Sequence, residues 1–352
     1  MGPHILFLAH TPYHVLLSLG MVKEGDHLFI MTDFDQVELY EGSIKKYYST
    51  FLGGFKILPG RKTADEVMWR RAIISKKNKR IIRKHFKEEE VGGVVIFNDR
   101  TVECQYAAYM ACVKGVPTVY AEDGIAAYLE PLDKTRNPLK DLASKVVFGR
   151  FYNNVKIIGT SEWVKNVQVF SPSLVIPQLG GMPIKGIDTG VFRKISPEFL
   201  DDFTRGIEDD LELIIVLPHS DILNTIPGGT SEGVENDMRE HFLEIIKESR
   251  SRYQKIGIKY HPRETHDYLG EYSECHVLPK HVPMELIYLK QREGCLKEVI
   301  GPMSTSLYTA RIIFGPGVKI TLIRDRMTGA PADFLEALDI KSVDWASDRI
   351  AQ

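Results

Sequence analysis

Short apolar runs alternate with stretches of mixed polarity along the whole chain. HILFLA (4–9) predicts a buried strand, and TPYHVLLSLG after it predicts a helix that takes Pro12 in its first turn. HLFIMT (27–32), FKILP (55–59), GVVIFN (93–98) and GVPTVYA (115–121) continue the strand series, with helical stretches between them, notably over 64–89 and 101–114. VKIIGT (155–160) and SLVIP (173–177) are expected to extend the same domain to about residue 190. GGMPIKGIDTGVFRKISPEF, rich in Gly and Pro and without helical periodicity, predicts a linker. A second series follows: strands at 211–218, 255–260, 275–279, 295–301 and 319–323, with helices at 232–252, 283–291 and 304–313. Strands alternating with helices imply parallel pairing. The expected architecture is therefore α/β, two doubly wound Rossmann-like domains spanning 1–190 and 191–352. Two such domains facing each other hold ligands in a cleft at the strand C-termini, so residues just after strands are the ones to weigh.

Length and composition sharpen this only a little. A chain of 352 residues exceeds most single cores, which favours two domains. A formal net charge of −2 gives no global drive toward nucleic acid, so no nucleic-acid partner is expected. Cys104, Cys112, Cys275 and Cys295 show no CxxC pairing and read as free thiols of a reducing compartment. The opening MGPHILFLAH has no basic n-region, and no apolar run approaches the roughly 20 residues that span a bilayer. A cytoplasmic protein is the expectation.

Candidate chemistry sits at the strand ends. VYAEDG places Glu122 and Asp123 side by side, and their mutual repulsion is expected to raise at least one pKa. YHPRE places His261 and Pro262 after a strand, where Pro262 biases the histidine backbone toward an extended form. GPMSTSLYTA sets Met303, Ser304, Thr305 and Ser306 at a helix start, where free N–H groups and hydroxyls suit an anion. Glu285 falls in the first turn of a helix, where it complements the dipole or accepts from ribose hydroxyls. AHTPYHVLL puts His10, Thr11, Tyr13 and His14 after the first strand, and further cleft candidates are His10, Thr11 and Tyr13 there, Asn98 and Arg100 in FNDRT, and His219 and Ser220 in LPHSD. Ordinary capping and turn chemistry accounts for half of them. TDFDQ brings Asp33 and Asp35 together, but no other metal ligand can be assigned to it, and no metal or cofactor is called for. The segment 69–87 reads as a cationic amphipathic helix with Trp69, Ile73, Ile74, Ile81, Ile82 and Phe86 as its apolar positions. It either packs that stripe on the sheet or meets an acidic polymer or anionic lipid.

The order of these segments resembles the bacterial sialyltransferases, including polysialyltransferases, which are built on the GT-B architecture. The matching stretches are EDG (122–124), HP (261–262), PMEL (283–286) and MSTS (303–306), and FLAHTPYHVLLSL is similar to that group's first strand-turn-helix. The resemblance implies a metal-independent inverting transfer of sialic acid from CMP-sialic acid to an oligosaccharide or polysaccharide hydroxyl. It implies Glu122 as general base with Asp123 orienting the turn, and His261 on the departing phosphate. It also implies hydroxyls among Ser304, Thr305 and Ser306 beside that phosphate, and Glu285 on the ribose. Ser-Thr-Ser departs from the expected hydroxyl pair. Two alternatives stay open: a CDP-polyol-dependent capsule or teichoic-acid-type transferase of the same fold, and a non-catalytic module that binds acidic polysaccharide through the 69–87 helix. That helix also leaves open a peripheral contact with the inner membrane face.

Overall fold

The computed structural model describes residues 2–34, 36–60, 68–129, 138–219, 231–265, 267, 269, 275–324 and 331–344. The chain divides into two compact units, Met1–Phe199 and Leu200–Gln352. Unit 1 begins with β1 (His4–Ala9), α1 (Pro12–Met21), β2 (His27–Met31), α2 (Val37–Tyr48) and β3 (Gly54–Leu58). It continues with α3 (Met68–Glu88), β4 (Val91–Ile96), α4 (Val102–Lys114), β5 (Thr118–Ala121), α5 (Pro138–Phe148), β6 (Asn166–Val169) and β7 (Ile184–Gly186). The strands form one seven-stranded sheet in the order β3-β2-β1-β4-β5-β6-β7. Its pairings are parallel. β2 is buried on both faces, as expected where helices cover a parallel sheet from both sides.

After α6 (Pro197–Phe203), which crosses the boundary, unit 2 contains β8 (Leu213–Val216), α7 (Ser231–Ser249), β9 (Ile256–Lys259), β10 (His276–Val277), α8 (Met284–Lys290), β11 (Glu298–Gly301), α9 (Thr305–Phe314), β12 (Lys319–Arg324), α10 (Ala332–Ala337) and β13 (Ile340–Asp344). Its six-stranded parallel sheet runs β10-β9-β8-β11-β12-β13. Leu213, Ile215, Ile256, Ile258, Ile300 and Ile323 from the strands pack with Phe242 and Ile246 of α7 as its core. In both units the order reverses beside the first strand, between β1 and β4 and between β8 and β11. Such switch points are where doubly wound sheets place ligands, outside the strand C-termini.

Three sequence expectations are corrected. VKIIGT is no strand: Gly159 turns the backbone at φ +86°, and Asp99 accepts from the N–H groups of Gly159 (2.8 Å) and Ser161 (2.7 Å). SLVIP is no strand either, because Pro172 opens a short 3₁₀ turn over Pro172–Leu174. The strands here are β6 and β7, and β7 lies inside the stretch read as a linker.

The expected boundary after residue 190 stands nine residues before the one the structure shows at Phe199. Val191, Phe192 and Ile195 are buried, Ser196 N–H donates to Tyr48 Oη (2.9 Å), and Phe199 packs on Tyr40 and Tyr48, which ties the segment to unit 1. On α3 the buried face is Ser75, Asn78, Ile82, His85 and Phe86, while Trp69 and Ile73 are exposed, so the apolar stripe does not wholly face the sheet. Among the described residues no helix is long and apolar enough to cross a membrane.

Candidate functional site

In unit 1 the loops after β1, β2, β4 and β5 converge. Glu122 and Asp123 leave the end of β5 in opposite directions, as adjacent residues of an extended chain do. Glu122 is fully buried (0% exposed). Its Oε1 accepts from Tyr13 Oη (3.1 Å), and its Oε2 accepts from Phe170 N–H (2.9 Å) and from Tyr128 Oη. Asp123 keeps 21% of its side chain exposed. Its Oδ1 lies 2.7 Å from His14 Nε2, and its Oδ2 accepts from Asn98 Nδ2 at 3.0 Å. The backbone N–H of His10 donates to His14 Nδ1 (3.3 Å), so the His14 proton sits on Nε2, facing Asp123. His14 stacks on Phe97, with centroids 4.6 Å apart, and this fixes its ring.

Pairing with Glu122 does not raise the pKa of Asp123. Burial opposes its ionisation. Attraction to and the hydrogen bond from His14, the charge of His10 and the Asn98 amide outweigh that penalty and hold its carboxyl below the usual range. Glu122 has its oxygens committed to the protein, and Asp123 is the more exposed of the two carboxylates.

His10 is buried between Asp33 and Cys104, its Nδ1 3.0 Å from Asp33 Oδ2 and its Nε2 2.9 Å from Cys104 Sγ. Burial would lower its pKa, but Cys104 and Asp33 together push it up to about 10. Thr11 is the N-cap of α1, its Oγ1 accepting from His14 N–H (3.2 Å), and Tyr13 is spent on Glu122. Arg100 is exposed and reaches the carbonyl of Lys156. Of the TDFDQ acids, Asp33 is held by His10 and Asp35 lies outside the described residues. His14, which the sequence groups with His10, Thr11 and Tyr13 in the turn after β1, is the member of that group that meets Asp123.

In unit 2, His219 follows β8 and His261 follows β9, their rings edge to face with centroids 5.0 Å apart. Ser220 lies outside the described residues. Arg263 N–H donates to His261 Nδ1 (3.2 Å), which leaves the proton on Nε2. Burial, then His219 and Arg263, lower the His261 pKa to about 4, so the ring is neutral at pH 7 and is a hydrogen-bond donor rather than a cation. Pro262 is exposed and Met303 is buried. Ser304 caps α9 by accepting from Leu307 N–H (3.4 Å), while Thr305 and Ser306 occupy its first turn, where backbone N–H groups are unspent by the helix.

Glu285 is buried and accepts from Thr309 Oγ1 (3.0 Å), a hydrogen bond that links α8 to α9, and desolvation raises its pKa. Lys259, unremarked in the sequence, is also buried. Its Nζ donates to the carbonyls of Val282 (2.8 Å) and Pro279, and burial lowers its pKa to about 7. A lysine between Ile258 and Tyr260, at the end of a strand-like run, was the available signal.

No family model matches the chain, and neither does any curated protein. Solved structures do. UDP-GlcNAc 2-epimerase from Neisseria meningitidis, bound to UDP-GlcNAc, is 11% identical over 96% of this chain and 86% of its own, with a TM-score of 0.54. UGT2 from Phytolacca americana, complexed with UDP-2-fluoro-glucose and pterostilbene, is 10% identical over 99% and 87%, at 0.51. The glycosyltransferase SnogD from Streptomyces nogalater is 13% identical over 99% and 88%, also at 0.51. At such identities the likeness is one of fold, and it shows that this chain has the GT-B fold of two Rossmann-like domains.

Proposed function

We propose that the protein is an inverting glycosyltransferase that moves a sugar from a nucleotide-activated donor to a glycan hydroxyl. Unit 1 supplies the base and unit 2 holds the nucleotide phosphate. The observation that carries the reading is the partly exposed, ionised Asp123, anchored by His14 and Asn98 at the end of β5. Asp123 takes the proton of the acceptor hydroxyl as that oxygen bonds to the anomeric carbon. The bond from that carbon to the donor phosphate breaks, and its electron pair leaves with the nucleotide. His261 Nε2–H and the N–H groups opening α9 hydrogen-bond the departing phosphate and stabilise its charge.

The resemblance to sialyltransferases carried by the ordered EDG, HP and MSTS segments is what favours CMP-sialic acid as donor. The epimerase and UGT2 named above carry UDP-sugars, so UDP is the competing nucleotide, with CDP third. Contact with an anionic membrane surface is proposed through the outer face of α3, where Trp69 and Ile73 are exposed next to Arg70 and Arg71. Flotation with anionic vesicles that persists in a Trp69→Ser, Ile73→Ser variant would remove that contact from the reading.

Calorimetric titration with CMP, UDP and CDP, wild type beside His261→Ala, tests the donor side. Micromolar affinity for one nucleotide, lost in the variant, is expected. No affinity for any of them would sink the transferase reading in favour of a polysaccharide-binding module. Asp123→Asn is expected to lower kcat by about 10²–10⁴-fold. Glu122→Gln, which disturbs a buried hydrogen-bonded carboxylate, is expected to lower Tm while keeping kcat within roughly tenfold. The reverse result would return the base to Glu122.

A further inference from the structure

Three histidines gather at the N-terminal end of the unit 1 sheet, away from every residue considered above. His4 opens β1, His27 opens the neighbouring β2, and His85 lies in the last turn of α3. All three are buried, at 8%, 8% and 2% exposure. The rings of His4 and His27 stack with centroids 3.8 Å apart, and His85 stands 5.1 and 4.8 Å from them. One ring nitrogen from each lies within 4.8 Å of the others, and His4 Nε2 and His85 Nε2 are 3.0 Å apart.

We propose that His4, His27 and His85 form a binding site for one divalent transition-metal ion, zinc foremost, that ties β1, β2 and α3 together. Two arguments converge. First, buried polar nitrogens need partners. Among the described residues, the His4–His85 contact is the one hydrogen bond these rings make, and coordination would give each ring a partner for its lone pair. Second, zinc bound by nitrogen at about 2.0–2.1 Å in a tetrahedral site sets its ligand nitrogens about 3.3–3.4 Å apart. His4 Nε2 and His85 Nε2, at 3.0 Å, are within a few tenths of an ångström of that value, and one nitrogen from each of the three rings lies within 4.8 Å of the others.

The carboxylates of Asp26 and Glu89 bear electrostatically on His4 and His27, while Lys56 opposes a cation at His27 and His85. The His27 ring lies against the backbone of Gly53 and Gly54, where a Cβ would stand 2.8 Å from Nε2 and 2.4 Å from Nδ1. Imidazole-only donors select zinc, copper or nickel over calcium or magnesium. His4 and Ala9 bound β1, which puts this site roughly 15–20 Å from His10, so the ion braces the sheet and takes no part in the transfer chemistry.

The test uses the full chain, stripped with a chelator and titrated with Zn²⁺ by calorimetry and with Co²⁺ by visible absorption. One ion per chain with a dissociation constant below about a micromolar is expected, together with a Tm rise of roughly 3 °C or more at saturation. His27→Asn and His85→Asn are expected to lose that ion, whereas His276→Asn, at an exposed position on β10, is expected to keep it. X-ray absorption of the wild-type zinc form is independent of how well the variants fold, and three imidazole ligands are expected in it. Absence of binding, binding undiminished in both core variants, or a ligand set with fewer imidazoles would each overturn the proposal.

Discussion

In the proposed reading Asp123 is the base, and its neighbours set its pKa. Removing one donor should therefore change the pH at which it works. Burial would raise its pKa, while His14, His10 and Asn98 lower it. Its ionised form is present above the folded-state pKa and lost as pH falls through it. Asn98→Ala deletes a donor that lowers this pKa, so the pKa rises and the acid limb of kcat/KM moves to higher pH, with less than roughly a tenfold loss at pH 8. A limb that stays put, or moves to lower pH, would detach Asn98 from the base. At this scale the sequence was partly legible. The paired acids, the histidines after β1 and the asparagine after β4 are visible as polar residues following apolar runs. Which acid faces outward was not legible. That depends on Tyr13, Tyr128 and Phe170 closing around Glu122 from distant points in the chain, and no local pattern reports such a closure.

At the scale of elements, the tightest constraint is between α1 and the 3₁₀ segment Thr189–Lys194. A Cβ on Gly20 would stand 2.2 Å from Val191 O and 2.7 Å from its Cγ2, so the helix meets backbone there, not a side chain that can turn aside. Gly20→Ala must push the two segments apart. That should cost about 1–3 kcal/mol despite alanine's better helix propensity, visible as a lower denaturant midpoint with an unchanged slope. A stabilised variant would show that the segment around Val191 is not held against α1. The linker reading of this stretch failed because Gly and Pro mark irregular backbone without saying whether it is packed. Val191, Phe192 and Ile195 recur too irregularly to show as a period, yet all are buried. β6 and β7 escaped for a related reason: NVQV and IKG are too short and too polar to stand out from loops. The interior strands β1, β2, β4, β8 and β9 were plain because burial on both faces makes them continuous apolar runs.

At the scale of the molecule, one architecture occurs twice. Each unit places its first strand third from one edge, with the order reversing beside it, and each carries polar groups at the strand C-termini. The two sets differ in chemistry. Unit 1 presents an ionised carboxylate backed by histidine, suited to taking a proton. Unit 2 presents a neutral histidine with its proton on Nε2 and a helix start with unspent N–H groups, suited to holding an anion without donating a full charge. If binding and chemistry are divided this way, the two variants should separate kinetically. Asp123→Asn should keep the wild-type dissociation constant for the donor nucleotide and lose kcat by about 10²–10⁴-fold. His261→Ala should weaken nucleotide binding by tenfold or more and also lower kcat, because the same N–H serves the bound phosphate and the charge that grows on it as the bond breaks. A matched loss of nucleotide affinity in Asp123→Asn would mean that the unit 1 carboxylate organises the donor, and the assignment of one task to each sheet would have to be abandoned.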